Sequence, residues 1–192
     1  MIYYIKILGG NVMENIEYEV RVLEINREEI IKKLESLGAR KIKDGMQRRY
    51  VYDFNPMQKH KYIRVRTDGN KTTLTIKSCE KDTIDGTKEL EIEVNDFEKT
   101  NEILNQLGYM PKGYQETKRT EYVLDDVIFD IDRWPLIPEF MEIEGKNKED
   151  VLKMIERLDI PEEMVITSGA YEHYGIDSTE LENLSFDMEN NQ

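Results

Sequence analysis

Six short stretches of the chain place apolar residues at every second position, with polar or charged residues between them. Successive side chains of a β-strand point to opposite faces, so this period of two predicts strands with one charged face and one apolar face. Five of the six faces carry charge of one sign, and the first ends in an arginine. The alternating polar positions are Glu17, Glu19 and Arg21; Arg64 and Arg66; Thr73, Thr75 and Lys77; Glu89, Glu91 and Glu93; Asp130 and Asp132; and Glu142 and Glu144.

Three other segments space their apolar residues as amphipathic helices do. Asn26, Asp96 and Asn147 stand before these segments as N-caps, and the first two segments end at Gly38 and Gly108. The third helix is predicted from about residue 148 to residue 158. Eight strands are predicted around these helices, near residues 15–24, 46–54, 61–67, 72–79, 88–95, 117–124, 127–132 and 139–144.

This order of elements predicts an α+β fold, an eight-stranded antiparallel β-barrel (a tunnel) with helices packed outside it. Eight strands enclose a bore that is filled by side chains or by one small ligand. If the charged faces line that bore, the ligand itself must be charged.

The two halves of the chain resemble each other at an offset of 70 residues, the distance from Gly38 to Gly108. The same offset pairs Asn26 with Asp96, Leu34 with Leu104, Arg49 with Arg119, Tyr52 with Tyr122, and Glu19 with Glu89. Two copies of one strand–helix–strands unit would explain the match. The alternative is that two amphipathic helices with glycine stops align by chance.

A single domain is predicted over residues 13–178. Residues 1–12 are expected to be a non-native or disordered extension, because Gly9 and Gly10 stand where their codons can spell a ribosome-binding sequence ahead of Met13. Residues 179–192 are expected to form a polar tail that is disordered from Asn183 onward.

Composition narrows the classes of function. The 192 residues carry a net charge of −13 and the pI is near 4.7, which argues against nonspecific binding of nucleic acid or membranes, since both need a basic surface. Cys79 is the single cysteine, which excludes a disulfide framework and suits a reducing cytoplasm. No apolar run approaches the ~20 residues of a membrane span. We expect a monomer or homodimer whose partner is a small molecule.

The acidic faces are candidate metal ligands. Carboxylates at positions i and i+2 lie about 7 Å apart on one strand face, and two such pairs on neighbouring strands could hold Mg²⁺ or Mn²⁺ through oxygen. The pairs are Glu17 with Glu19 and Glu142 with Glu144. The alternative is a solvated strand face, although exposed strands normally mix charges so that cross-strand neighbours attract.

The basic side chains are candidate phosphate ligands, because guanidinium groups match phosphate oxygens in shape and charge. The set is Arg21, Arg64, Arg66, Lys77 and Arg119, with Arg49 as a weaker member. The alternative is that each one only pairs with a glutamate of the bore. A purely structural lattice of buried ions is a poor stabiliser, however, because desolvation offsets the Coulomb gain.

The ordered set of motifs resembles the CYTH family, the triphosphate tunnel metalloenzymes, from about Ile16 to Tyr174. The motifs are Glu17-Tyr18-Glu19-Val20-Arg21, Ile63-Arg64-Val65-Arg66, Leu74-Thr75-Ile76-Lys77, Glu89-Leu90-Glu91-Ile92-Glu93, Arg119 with Tyr122, Ile131-Asp132-Arg133-Trp134-Pro135, and Glu142-Ile143-Glu144-Gly145. That family groups class IV adenylyl cyclases, thiamine triphosphatases and inorganic tripolyphosphatases. Its fold is an eight-stranded tunnel that binds a triphosphate and divalent cations.

The resemblance implies a role for each matched residue. Arg64, Arg66, Lys77 and Arg119, with Glu91, would bind the triphosphate; Glu17, Glu19, Glu142 and Glu144 would hold Mg²⁺ or Mn²⁺; and Arg21 and Asp132 would be catalytic. Two positions depart from the family pattern. The hallmark lysine is Arg21, and the usual Lys-x-Arg reads Thr117-Lys118-Arg119, with Lys118 expected on the other face of its strand.

The predicted function is metal-dependent hydrolysis of a triphosphate such as tripolyphosphate, a nucleoside triphosphate or thiamine triphosphate. A first alternative is cyclisation of ATP to cyclic AMP in the same tunnel. A second is a noncatalytic module that binds polyphosphate or nucleotides.

Overall fold

Eight antiparallel strands close into a barrel in the computed structural model, which describes residues 15–79, 81–176 and 183–187. The strands are β1 (Asn15–Val22), β2 (Arg40–Asp53), β3 (Lys61–Thr67), β4 (Thr72–Cys79), β5 (Thr87–Val94), β6 (Gly113–Leu124), β7 (Val127–Arg133) and β8 (Phe140–Gly145). The three long helices are α1 (Arg27–Ser36), α2 (Phe97–Gln106) and α3 (Lys148–Arg157). The order around the barrel is β6-β2-β3-β4-β5-β1-β8-β7, and β7 pairs again with β6. The predicted fold is therefore confirmed.

Two strands are longer than the sequence pattern predicted. Strand β2 begins at Arg40 instead of near residue 46, and β6 begins at Gly113 instead of near residue 117. Residues 40–46 are exposed and show no alternation of burial. Their strand conformation comes from backbone pairing with β6, which a hydrophobic pattern does not record.

The apolar faces of the strands point outward, and helices cover most of them, whereas Leu90 and Ile92 on β5 are 38% and 55% exposed. Strands β1, β7 and β8 pack their outer faces on α1 and α3, where Leu34, Phe129 and Ile143 are completely buried. Strands β2 and β3 pack theirs on α2, around Tyr52 and Val65. The hydrophobic core is therefore a layer around the barrel, and the interior is left to the polar faces.

The helix ends follow the predicted chemistry. The side chains of Asn26, Asp96 and Asn147 accept hydrogen bonds from the backbone three residues on, which satisfies donors of the first turn. Gly38 and Gly108 have φ values of 90° and 89°, the left-handed conformation that glycine adopts without strain.

The two halves of the chain are interlocked. The bounds of α1 and α2 differ by the 70-residue offset of the sequence repeat. The Tyr52 hydroxyl on β2 donates to Asn101 on α2, and the Tyr122 hydroxyl on β6 donates to Glu35 on α1. Each half thus ties its tyrosine to the helix of the other half. A common origin of the two halves stays a prediction.

An apolar cluster, the end cap, covers the barrel where β7 ends and β8 begins. Its buried members are Leu23, Ile137, Phe140, Ala170, Tyr171 and Leu184, with Trp134 packed against them. The cap includes three short elements, β9 (Val165–Ile166), α4 (Ala170–His173) and β10 (Asn183–Leu184). Strand β9 pairs with the end of β1, beyond the β1 residues that pair with β5.

The expectation of disorder from Asn183 onward is wrong for residues 183–187. Strand β10 pairs in parallel with Tyr114 and Gln115 of β6, and Leu184 is 1% exposed. One leucine in a polar sequence is enough to anchor the segment, because the end of β6 offers free backbone groups. The predicted extension, residues 1–12, lies outside the described residues, and the limits 13–178 stay a prediction. None of the helices in the described stretches is long and apolar enough to cross a membrane.

Replacing Leu34 by alanine is expected to lower the free energy of unfolding by about 2–5 kcal/mol, because the side chain is fully buried between α1 and the barrel. Urea denaturation followed by circular dichroism measures the change. The matched control is Leu107→Ala, whose side chain is 69% exposed and should change the stability by no more than about 0.5 kcal/mol. Equal losses in the two variants would contradict the layered core.

Candidate active site

The pairing register places the predicted charged faces on the inside of the barrel. Residues that lie directly opposite each other on neighbouring strands share a face, and this relation can be followed around the closed sheet. Glu19 lies opposite Glu144, and Arg119 lies opposite Asp132. The predicted site residues on the inner face are Glu17, Glu19, Arg21, Arg64, Arg66, Lys77, Glu91, Arg119, Asp132, Glu142 and Glu144.

The charges are divided between two halves of the wall. Four consecutive strands, β6, β2, β3 and β4, carry Arg119, Arg49, Arg64, Arg66 and Lys77, and we call them the basic arc. The other four, β5, β1, β8 and β7, carry most of the carboxylates, and we call them the acidic arc. Arg21 is the exception, a cation within the acidic arc. The bore therefore has a cationic wall opposite an anionic one.

Three carboxylates gather on β1 and β8. Glu19 and Glu144 are direct cross-strand neighbours, an arrangement that destabilises a sheet when both are charged. Glu17 Oε2 lies 2.8 Å from Lys77 Nζ, whereas Glu144 has no ion-pair partner among the described residues. Burial, followed by the charges of Glu17 and Glu19, raises the pKa of Glu144 to about 7. The group thus has more carboxylate oxygens than cations to neutralise them.

The chemistry of these side chains fits Mg²⁺ or Mn²⁺, which prefer oxygen ligands. Among the residues that the structure describes, no three Asp, Glu, His or Cys side chains already surround a common metal position. The reason is visible at Glu19, whose Oε1 accepts hydrogen bonds from Arg21 and Thr87, both at 3.2 Å. Protein cations occupy the carboxylates, so binding a metal would require them to change partners.

Glu142 acts as a counter-ion for two arginines. Its Oε1 accepts a hydrogen bond of 2.9 Å from Arg21 Nε, and its Oε2 accepts one of 2.7 Å from Arg119 Nη2. Burial by itself would raise the pKa of Glu142, but the two guanidinium groups outweigh it and hold that pKa well below its ordinary value. In this arrangement, Glu142 is the least available of the predicted metal ligands.

Asp132 holds Arg119 in place. The carboxylate is fully buried and binds the guanidinium in a bidentate pair, at 2.7 Å to Nε and 2.5 Å to Nη2. Both oxygens are thereby used, which makes Asp132 a positioning group for Arg119 in this arrangement. The predicted catalytic residue Arg21 is similarly tied, by its bond to Glu142 and by donation to the Ser168 carbonyl at 3.0 Å.

Asp130 is a site residue for which the sequence analysis predicts no role, although it belongs to the same alternating stretch as Asp132. One oxygen binds Arg119 Nη1, and Oδ1 is buried without a hydrogen-bond partner among the described residues. Burial raises the pKa of Asp130 to about 7. The sequence feature that points to Asp130 is the period-two pattern, which predicts the strand face of its side chain but not the charges around that side chain.

Arg64 and Arg66 of the basic arc have fewer carboxylate partners than Arg119. Arg64 donates to Glu89 at 2.8 Å, and a single Glu91 oxygen lies 3.7 Å from both Arg64 and Arg66 while it accepts from Thr75 at 2.8 Å. The neighbouring charge of Arg64, followed by burial, lowers the pKa of Arg66 to about 10. At Arg66 the larger cause is the neighbouring positive charge, which an anionic ligand would offset.

Lys118 points away from the bore, as the sequence predicted. It is exposed and lies on the outer face of β6, where it lines a groove with Arg27 and Arg133. The lysine position of the family's Lys-x-Arg motif is therefore occupied inside the bore by Thr117, which is neutral.

Replacing Glu144 by glutamine is expected to stabilise the metal-free protein at pH 8 and to have little effect at pH 5. The raised pKa means that the folded protein keeps a proton which the unfolded chain, at an ordinary value of 4.5, releases. This contribution to stability is complete below about pH 4.5 and is lost as the pH rises to about 7, when a buried carboxylate must ionise beside Glu17 and Glu19. Glutamine removes that charge, a gain of about 1–3 kcal/mol.

Urea denaturation in EDTA at the two pH values measures this effect. The control is Glu93→Gln. Glu93 lies on β5 and also faces the inside of the barrel, but its side chain is 68% exposed. A Glu144→Gln gain that is the same at both pH values would show that the carboxylate is ionised throughout.

The chain is similar to three archaeal proteins over nearly its whole described length. A Pyrococcus horikoshii protein of solved structure is 30% identical, with a TM-score of 0.70 over 81% of this chain and 98% of that chain. A Pyrococcus furiosus protein of solved structure is 25% identical, with a TM-score of 0.71 over the same shares. A Methanocaldococcus jannaschii protein named "Putative adenylate cyclase" is 24% identical over 174 residues, which are 84% of this chain and 99% of that protein.

The sequence model of the CYTH domain matches residues 15–170. That range contains all eight barrel strands and every charged residue of the two arcs. The closed barrel with charged faces inside agrees with the resemblance drawn from the motifs. The chain therefore belongs to the CYTH domain family.

Proposed function

We propose that this protein hydrolyses a small-molecule triphosphate with the help of a divalent cation. The observation that carries the proposal is the division of the bore into a basic arc and an acidic arc. A linear triphosphate bearing several negative charges suits the basic arc, and a cation suits the acidic arc. Phosphoryl transfer depends mainly on positioning and charge stabilisation, which opposed walls of fixed charge supply.

Arg64 and Arg66 are the principal phosphate ligands in this proposal. They share one carboxylate oxygen at a long 3.7 Å, and Arg64 Nε is buried without a hydrogen-bond partner among the described residues. Phosphate oxygens would satisfy these donors in charge-assisted hydrogen bonds. Lys77 and Arg119 would join them by releasing part of their contact with Glu17 and with Asp130, respectively.

Glu17, Glu19 and Glu144 would hold Mg²⁺ or Mn²⁺. When bound, the cation would offset phosphate charge and make a coordinated water more acidic. Asp130, whose pKa burial raises to about 7, is a bore carboxylate suited to accept a proton near neutral pH. Arg21, tied to Glu142, would keep a fixed positive charge beside the metal ligands.

Cyclisation of ATP is a second candidate, favoured by the name of the M. jannaschii relative. The same arcs would bind the triphosphate, and the nucleophile would be a ribose hydroxyl of the substrate instead of water. Analysis of the products separates the two reactions, because only cyclisation yields cyclic AMP and pyrophosphate.

Glu17→Gln is expected to reduce hydrolysis by about 100-fold or more, because it removes one oxygen ligand and one charge from the metal group. Tripolyphosphate, ATP and thiamine triphosphate are incubated with Mg²⁺, Mn²⁺ or EDTA, and phosphate and cyclic AMP are quantified. EDTA should abolish turnover of the wild-type protein.

Glu93→Gln serves again as the control and should retain wild-type turnover. Circular dichroism establishes that both variants fold. Absence of turnover of all three substrates by folded wild-type protein, with binding retained, would favour the noncatalytic module. Cyclic AMP as the main product of ATP would favour the cyclase.

A further inference from the structure

Arg49 is the one arginine of the bore for which the described residues provide no ion pair. It lies on β2, directly opposite Arg66 on β3 and Gln115 on β6. Its side chain lies deep in the barrel wall, yet part of its surface stays accessible. Like charges at directly opposed positions of neighbouring strands destabilise a sheet unless an anion offsets them.

The contacts of Arg49 orient it without neutralising it. Arg49 Nε donates a hydrogen bond of 2.7 Å to Gln115 Oε1, and its guanidinium carbon lies 4.4 Å from the ring centre of Trp134. Both partners are uncharged. The carboxylate whose field reaches it, Asp132, is already bound by Arg119. Burial and the charge of Arg64 lower the pKa of Arg49.

The tryptophan is itself held rigidly. The Trp134 ring lies 5.2 Å from the rings of both Phe140 and Tyr171 in the end cap, and the Tyr171 hydroxyl donates to the Pro135 carbonyl at 2.9 Å. A guanidinium stacked on a fixed ring keeps its plane, and the Nε bond to Gln115 fixes its rotation. The two terminal nitrogens then remain as donors for another group.

We propose that Arg49 is a further phosphate-binding residue, which completes with Arg64 and Arg66 a three-guanidinium subsite for one phosphate group of a linear polyphosphate. Trp134 and Gln115 are its positioning residues. In this part of the wall, Arg64 and Arg66 pair with two carboxylates, Glu89 and Glu91, and Arg49 adds a third positive charge. A phosphate group carries the charge and the oxygens that this subsite lacks. The inference rests on the proposed function to the extent that both require a triphosphate in the bore.

The test measures binding of inorganic tripolyphosphate in EDTA, so that turnover does not interfere. Isothermal titration calorimetry gives the affinity, and Trp134, the single tryptophan of the chain, gives a fluorescence signal from the subsite. Arg49→Gln is expected to weaken binding by about 10- to 100-fold, the loss typical of hydrogen bonds to a charged group. Arg49→Lys should recover only part of the affinity, because lysine keeps the charge without the planar fork.

The matched control is Arg48→Gln. Arg48 is the preceding residue of the same strand, is exposed, and stacks on Phe97 outside the barrel. The Arg48→Gln variant should bind tripolyphosphate as the wild type does.

Trp134→Leu should raise KM for tripolyphosphate more than it lowers kcat, a difference that a merely structural role of Trp134 would not produce. Circular dichroism checks that Arg49→Gln is folded, and partial recovery of affinity in Arg49→Lys would show that the loss comes from the side-chain charge and not from misfolding.

The outcomes separate this inference from the proposed function. Wild-type binding without hydrolysis would refute the hydrolase, while weaker binding by Arg49→Gln would still support the subsite. Wild-type hydrolysis with Arg49→Gln affinity within about twofold of the wild type would overturn the subsite alone. A tryptophan signal that does not respond to saturating tripolyphosphate, while calorimetry detects binding, would also overturn it.

Discussion

Pairing of β7 with β6 closes the sheet and thereby sets the register of every strand in the barrel. Once β7 pairs with β6, each strand must keep the same alternation of inner and outer residues as both of its neighbours. A shift of one residue in any strand would move its charges into the helix-covered layer and its apolar residues into the bore. The ion pairs across the bore and the apolar contacts outside it therefore enforce the same register.

The separation of charge contributes to the shifted pKa values in the bore. Burial, followed by the charges of neighbouring carboxylates, raises the pKa of Glu144, and the charge of Arg64, followed by burial, lowers the pKa of Arg66. A fully mixed lattice of ion pairs would have left both groups near ordinary values or shifted them the opposite way, as it does for Glu142 between two arginines. Such a separation costs stability in the protein alone, and a bound anion and cation together would offset that cost.

The interlocking of the two halves explains why the barrel forms one unit. Helix α2 of the second half covers β2 and β3 of the first, and α1 of the first half bonds to β6 of the second. Neither half can bury its outer apolar face on its own helix alone. The end cap adds a third constraint, since β10 and Trp134 tie residues distant in the chain to the place where Arg49 lies.

Local patterns in the chain are sufficient to predict which residues form strands and helices over most of the barrel, and which side of each strand is charged. Period-two alternation and capping side chains are local signals. Alternation correctly predicted β3, β4 and β5, and capping side chains correctly predicted the starts of all three helices. The sequence pattern did not predict the exposed half of β2 or the Asn183–Leu184 strand, because backbone pairing alone stabilises the first and one buried leucine anchors the second. Folding brings Asp132 and Glu142 to arginines, leaves Glu144 with no ion-pair partner among the described residues, and stacks Arg49 on Trp134. These relations depend on which strands become neighbours when the sheet closes, and a charge pattern along one strand contains no information about the strand beside it.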